Sequence, residues 1–270
     1  MAWAGTPIEV LSPQQALLTL EARDVALARL GVGEDLAGVE DGLSPLERLA
    51  EAGVRVRNPP AALLRAHDKL LTARALRAAG LPHPRTKLVE RGAELPDLDY
   101  PIVLEPRFGS RGKDVALSQP RRARAGAARA CRTALVSRRW RDRSGADPAA
   151  RLRLAADRRR GHGRRRRAPN RGSGRVADER GPRATVAPVS PAPVAVRLAL
   201  EAAAASGLDL VGVDLLPTGP GGFCVLELNG AVDFRPVYAF GAGDAYADAA
   251  AALAGISASR EPARLAGVHA

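Results

Sequence analysis

Lysine is nearly missing from this chain: of 41 basic residues only Lys69, Lys87 and Lys113 are lysines, and the other 38 are arginines. Cysteine is as sparse, and Cys131 and Cys224 cannot build a disulfide framework. No stretch approaches the roughly 18 unbroken apolar residues of a membrane-spanning helix. The start, Met-Ala-Trp-Ala-Gly-Thr-Pro-Ile-Glu, has neither the basic region nor the apolar run of a secretory signal. These absences predict a soluble, cytoplasmic protein. What is present suffices for a core: 46% of the 270 residues are apolar, which excludes wholesale disorder and allows one large domain or two ordinary ones.

The net charge of +12 is unevenly placed. Between Arg121 and Arg183 lie 22 arginines against 5 acids, a local +17, while the remainder holds 19 basic and 24 acidic residues, a net −5. A mildly acidic protein therefore carries a strongly basic insert. Such segments suit nucleic acid, because each cation near a phosphate releases condensed counterions. Composition alone favours a solvated, disordered arginine-rich loop. The segment has no lysine, isoleucine or phenylalanine, a single aromatic (Trp140), and no apolar period between Arg151 and Thr185.

The flanks are patterned. Residues 13–30 read as a helix capped by Ser12, with Pro13 in the first turn. A second helix opens at a capping box, Ser44-Pro45-Leu46-Glu47, and stops at Gly53; Val54–Arg57 then alternates like a short strand. Helical spacing returns from Ala61 to Ala79, and Lys69 lies on it beside Asp68, where alone it reads as a solvated helix lysine. Tyr100–Glu105 is a strand signal. It leads into Pro106-Arg107-Phe108-Gly109-Ser110-Arg111-Gly112-Lys113-Asp114-Val115, whose glycines let backbone amides approach a phosphate. It is not a Walker loop, since Asp114 stands where Ser or Thr is required, and in isolation such a turn is more often a plain hairpin.

The C-terminal third is clearer. Pro193–Ser206 reads as a helix closed by Gly207, followed by an apolar strand interrupted by Asp214, a turn at 217–222, and a returning strand ending Glu227-Leu228-Asn229. An antiparallel hairpin of that loop length brings Asp214 near Glu227, and Glu227 and Asn229, two apart, face one side. Three oxygen donors then converge, a set suited to Mg²⁺ with nucleotide phosphates in its remaining positions. Carboxylates at frayed strand ends are the bland alternative; it is weakened because burying an unpaired acid in an apolar run is costly.

Together, Ala66-His67-Asp68-Lys69-Leu70-Leu71-Thr72, the loop 106–112, Val213-Asp214 and Glu227-Leu228-Asn229-Gly230 resemble the ATP-grasp superfamily, and most nearly the RimK-type alpha-L-glutamate ligases. The resemblance covers about residues 20–118 and 190–250. It implies an α+β ATP-grasp fold: a truncated preceding domain over 1–59, a small subdomain with the glycine-rich loop over 60–120, and a metal-binding subdomain over 190–270. The basic, disordered segment over 121–189 disrupts its centre. It further implies that Lys69, the position of Glu105, Gly109, Ser110 and Gly112 serve ATP, and that Asp214, Glu227 and Asn229 hold magnesium. The family chemistry is activation of a small-molecule or peptide carboxylate to an acylphosphate, followed by attack of an amino-acid amine. No individual catalytic residue is assigned.

Two departures stand out. The family carries a nucleotide-binding lysine where this chain has Glu105, and a carboxylate facing ATP costs about 1 kcal/mol or more at ~4 Å even in a watery site. The family's central part, with its adenine-contacting hinge and its substrate-binding arginine and asparagine, should lie where the arginines crowd. That crowding is what GC-rich codons give in a neighbouring reading frame: one base later, Val176–Arg183 can encode Trp-Arg-Thr-Asn-Val-Ala-Leu-Gly, similar to the family's Arg-x-Asn segment. Read so, 121–189 cannot build the central sheet, and the chain is a ligase by descent with impaired activity. The competing readings are a nucleic-acid-binding protein working through 121–185 and a non-catalytic ATP-grasp scaffold.

Overall fold

The computed structural model describes residues 2–3, 6–90, 102–109, 114–118, 133–138, 151–157, 163–168, 191–232, 239–240, 243–244 and 265–268. The first sheet runs in the order β1 (Ala2–Trp3), β2 (Thr6–Leu11), β15 (Leu265–Val268), β3 (Val25–Ala28), β4 (Arg55–Arg57). Its last four strands are parallel, and β15 pairs with both β2 and β3, so the far end of the chain fills the middle of its first sheet.

Helix α1 (Pro13–Thr19) starts as its sequence dictates. The Ser12 hydroxyl accepts from the Gln15 N–H, and the Gln15 side chain accepts from the Ser12 N–H, a reciprocal cap. It does not run to residue 30. The chain leaves the helix at Leu20, Asp24 accepts from the Glu21 N–H at 2.8 Å, and Val25–Ala28 becomes a fully buried strand between two parallel neighbours. An unbroken apolar run is what a strand buried on both faces shows, and periodicity cannot separate it from a buried helix segment.

Helix α2 (Leu43–Glu51) begins one residue before the capping box read at Ser44, with Gly42 at its N-cap and no side-chain cap. Gly42 has φ +145°, and a Cβ there would meet Pro13 Cγ at 2.7 Å, so close packing on α1 selects glycine over a capping side chain. The helix predicted over 61–79 is two: α3 (Pro60–His67) and α4 (Lys69–Ala78), broken at Asp68 with ψ 101°.

The second sheet is ordered β5 (Thr86–Glu90), β8 (Thr133–Arg138), β6 (Ile102–Pro106), β7 (Ala116–Ser118), all antiparallel. The third is ordered β10 (Gly163–Ala168), β9 (Arg151–Asp157), β11 (Leu210–Gly219), β12 (Gly222–Asn229), again antiparallel. Strands β8, β9 and β10 lie inside the arginine-rich stretch, where the sequence predicts no sheet. β8 sits between β5 and β6, and β9 lies beside β11, so partner strands supply the order that apolar periodicity does not. β13 (Ala239–Phe240) and β14 (Gly243–Asp244) form a small hairpin. Among the described residues no helix is long and apolar enough to cross a membrane.

Helix α5 (Pro193–Ser206) ends at Gly207 in the left-handed conformation, φ +79°, as read from the sequence. Its buried face, Ala195, Leu198, Ala199, Ala202 and Ala203, shares one core with Leu63 and Ala66 of α3 and with Val211, Val213, Leu215, Val225 and Leu228 of the β11–β12 hairpin. Asn58 stitches this core to the first sheet. It is 1% exposed and sits at φ +58°. Its Oδ1 accepts from the Asp209 and Leu210 N–H groups, and its Nδ2 donates to the carbonyls of Leu210 and Gly230.

Candidate functional site

The site grows from the break at Asp68. That carboxylate, 2% exposed, accepts from the Leu70 and Leu71 N–H groups at 3.0 and 3.2 Å, capping α4 at the end of the helix that favours negative charge. It also receives the Arg107 fork, Nε at 3.0 and 2.9 Å and Nη2 at 2.6 Å. The Lys69 N–H donates to the Arg107 carbonyl at 3.1 Å, and Asp68 bridges Phe108 through the backbone. The start of the glycine-rich loop is thus pinned to the first turn of α4.

This pinning places Lys69. A Cβ on Gly109 would lie 3.3 Å from Lys69 Cε, slightly tighter than ordinary contact, and 3.4 Å from the Pro106 carbonyl, so the loop passes close beside the end of the lysine stem. The ammonium lies 3.0 Å from Glu105 Oε2 and 3.6 Å from Glu227 Oε1. Burial works against its charge, but Glu227 and Glu105 outweigh burial and hold the ammonium above the ordinary lysine range. Glu105 faces it because β6 alternates, with Ile102, Leu104 and Pro106 on the buried side.

On the hairpin, Asp214 is in register with Glu227, the neighbour expected from the sequence, and Gly212 with Asn229; the strands run to Gly219 and from Gly222, so the turn is shorter than the 217–222 read from the sequence. A bulge after Asp214 leaves Leu226 as the extra residue between the pairs Asp214–Glu227 and Leu215–Val225. Asp214 is 4% exposed. The Asn229 Oδ1 accepts from the Ala231 N–H at 3.0 Å. Two carboxylates and an amide oxygen are hard donors, and the set fits magnesium by its chemistry. Among the described residues no group of three His, Cys, Asp or Glu side chains forms a metal cluster.

A cleft joins these parts, lined among others by Lys69, Thr72, Glu105, Val225 and Glu227. Of the predicted site residues, Lys69, Glu105 and Glu227 line it, Gly109 lies against the Lys69 stem, and Asp214 pairs with Glu227 from the neighbouring strand. Ser110, Gly112 and residues 176–183 lie outside the described residues, while β8, β9 and β10 are the described parts of the stretch in which the adenine hinge and the substrate-binding segment are expected. Sequence reasoning missed Arg107 and Asp68, although an aspartate directly before a helical run is an N-cap signal. It also missed His67, whose Nε2 is buried without a hydrogen-bond partner near Gly230. Burial lowers that imidazole to about 4, so it is neutral at physiological pH.

The arrangement of glycine turn, lysine and carboxylate hairpin on an α+β framework is that of the ATP-grasp fold. The sequence profile of the RimK-like ATP-grasp domain matches residues 66–242, and the chain belongs to that family. Among solved structures it is similar to the ATP-grasp ligase PsnB complexed with minimal precursor, with a TM-score of 0.57 and 20% identity, covering 79% of this chain and 68% of that one. The same ligase complexed with precursor peptide PsnA2 and AMPPNP gives 0.56 and 19%, covering 79% and 66%. The chain thus spans about two thirds of that ligase, and at this identity the likeness is one of fold.

Proposed function

We propose that this chain is an ATP-dependent carboxylate–amine ligase of the glutamate-ligase kind, in which Lys69, Gly109, Ser110 and Gly112 receive the nucleotide phosphates. The observation that carries the reading is the meeting of Lys69 with the glycine turn on one side and with Glu227 of the hairpin on the other. Asp214, Glu227 and Asn229 would hold magnesium, which when bound offsets the charge of the transferring phosphoryl group. The acceptor is a small-molecule or peptide carboxylate, activated to an acylphosphate and captured by an amino-acid amine. The solved PsnB complexes with precursor peptide, and with minimal precursor, Mg and ADP, support a peptide carboxylate and a magnesium nucleotide as ligands.

In this copy turnover is impaired, because a carboxylate occupies position 105 and the substrate-facing segment falls in the arginine-rich stretch. The test is calorimetric titration of the purified chain with MgADP, with Asp214→Asn and Lys69→Ala beside it. The reading expects binding by the wild type and a roughly tenfold or larger loss in each variant. Absence of MgADP binding overturns it. Rapid phosphate release dependent on ATP and glutamate overturns the impairment alone. Coding DNA that yields no family motif in the neighbouring frame after about codon 120 rules out a shifted frame as its origin.

A second reading rests on the local charge of +17 between Arg121 and Arg183. It takes the stretch as a nucleic-acid-binding arm, and requires salt-dependent RNA or DNA binding that vanishes when 121–185 is deleted.

A further inference from the structure

Among the described residues, the cleft around Lys69 carries more negative than positive charge. Lys69 brings one ammonium, Glu105 and Glu227 bring two carboxylates, and the other described lining residues carry no fixed charge. Lys69 and Glu105 are only 20% and 21% exposed, so solvent and salt screen the pair weakly. Glu105 also cannot readily withdraw. It sits on β6, which is hydrogen-bonded to β8 on one side and β7 on the other, with Ile102 and Leu104 buried beside it.

A phosphate approaching Lys69 must therefore compete with a carboxylate already in hydrogen-bond contact at 3.0 Å, while facing the like charge of both glutamates. A metal-free nucleotide brings only negative charge to this balance. A magnesium nucleotide brings a cation that offsets the glutamates, and Coulomb attraction at such distances in a half-buried site is stronger than in bulk water.

We propose that Glu105 makes nucleotide binding conditional on a divalent cation: it holds Lys69 as its internal counter-ion, and only the magnesium complex of a nucleotide, not the bare polyphosphate, draws the ammonium away. Glu105 is on this view a specificity-determining residue that discriminates between two charge states of one ligand. The proposal rests on the nucleotide reading above and adds to it a ratio, affinity for MgADP over affinity for ADP in excess EDTA.

The experiment titrates the full-length chain and Glu105→Gln with ADP by calorimetry at fixed ionic strength, once with magnesium and once with EDTA. The wild type binds MgADP and binds metal-free ADP far more weakly. Glu105→Gln, nearly isosteric, strengthens metal-free ADP binding by about tenfold or more and lowers the ratio of MgADP to metal-free ADP affinity by about threefold or more. Glu105→Ala serves as a second variant if thermal melting shows the glutamine form to be misfolded. Equal ratios in wild type and variants overturn the proposal while leaving the nucleotide reading intact. So does tight metal-free binding by the wild type, which needs no variant at all. If none of the proteins binds MgADP, the nucleotide reading falls and the proposal with it.

Discussion

Arg107 grips Asp68 across 39 residues of chain, and through that grip the glycine-rich loop is fastened to the helix that carries Lys69. One carboxylate thus does two things. It caps α4 and it receives the guanidinium fork, so helix start and loop position cannot shift independently.

Removing Arg107 should leave the Asp68 carboxylate buried without its counter-charge. Because the Arg107 side chain is 31% exposed, part of its attraction is screened, and Arg107→Ala is expected to cost about 1–3 kcal/mol. Arg107→Lys should recover less than half of that, since an ammonium cannot reproduce two parallel N–H donors. Urea unfolding of the three proteins measures both.

Acid should destabilise the protein through His67. Burial lowers its folded-state value to about 4 from an ordinary 6.5; Lys69 adds to the effect, and a hydrogen bond with the Leu30 backbone opposes it. The unfolded chain therefore takes up the proton first as pH falls. Stability is full above about pH 6.5, declines between 6.5 and 4, and loses no more through this group below 4, a total of about 3 kcal/mol. Urea midpoints across that window, compared with a flatter profile for His67→Gln, check the sign and the size.

Asn58 should be among the least replaceable residues. Asn58→Ala leaves the Asp209 and Leu210 N–H groups and the Leu210 and Gly230 carbonyls without their partner, and is expected to cost about 2–4 kcal/mol. Asn58→Gly loses the same bonds but relieves the φ of +58°, so it should be milder than alanine by about 1 kcal/mol. The order Asn, Gly, Ala in thermal or urea stability is the measured quantity.

Gly109→Ala puts a methyl group 3.3 Å from Lys69 Cε. The lysine stem gives way more easily than the Pro106 carbonyl on the other side. The expected result is an MgADP affinity roughly three- to tenfold lower, with little change in melting temperature. A large drop in melting temperature with unchanged affinity would show that the loop, not the lysine, yields.

Local signals were legible residue by residue. The Ser12 cap with proline after it, the glycine stop at 207 and the Asp214–Glu227 pairing all follow from short-range rules, and the structure contains each. What was hidden depends on partners far along the chain. Val25–Ala28 is a strand because β15 lies beside it, and nothing within residues 13–30 announces that neighbour. Gly42 displaces the cap read at Ser44 because Pro13 leaves no room for a side chain. Glu105 reads from sequence only as a repulsive substitution, and its pairing with Lys69 appears once β6 and α4 are brought together.

The placement of Leu265–Val268 between Thr6–Leu11 and Val25–Ala28 has a consequence for biosynthesis. Residues 6–28 leave the ribosome long before residues 265–268, so the hydrogen-bonding edges of β2 and β3 stay unsatisfied until that distant segment has been made. Until then β2 and β3 present bare edges, the kind of surface on which chaperones and unwanted neighbouring chains compete.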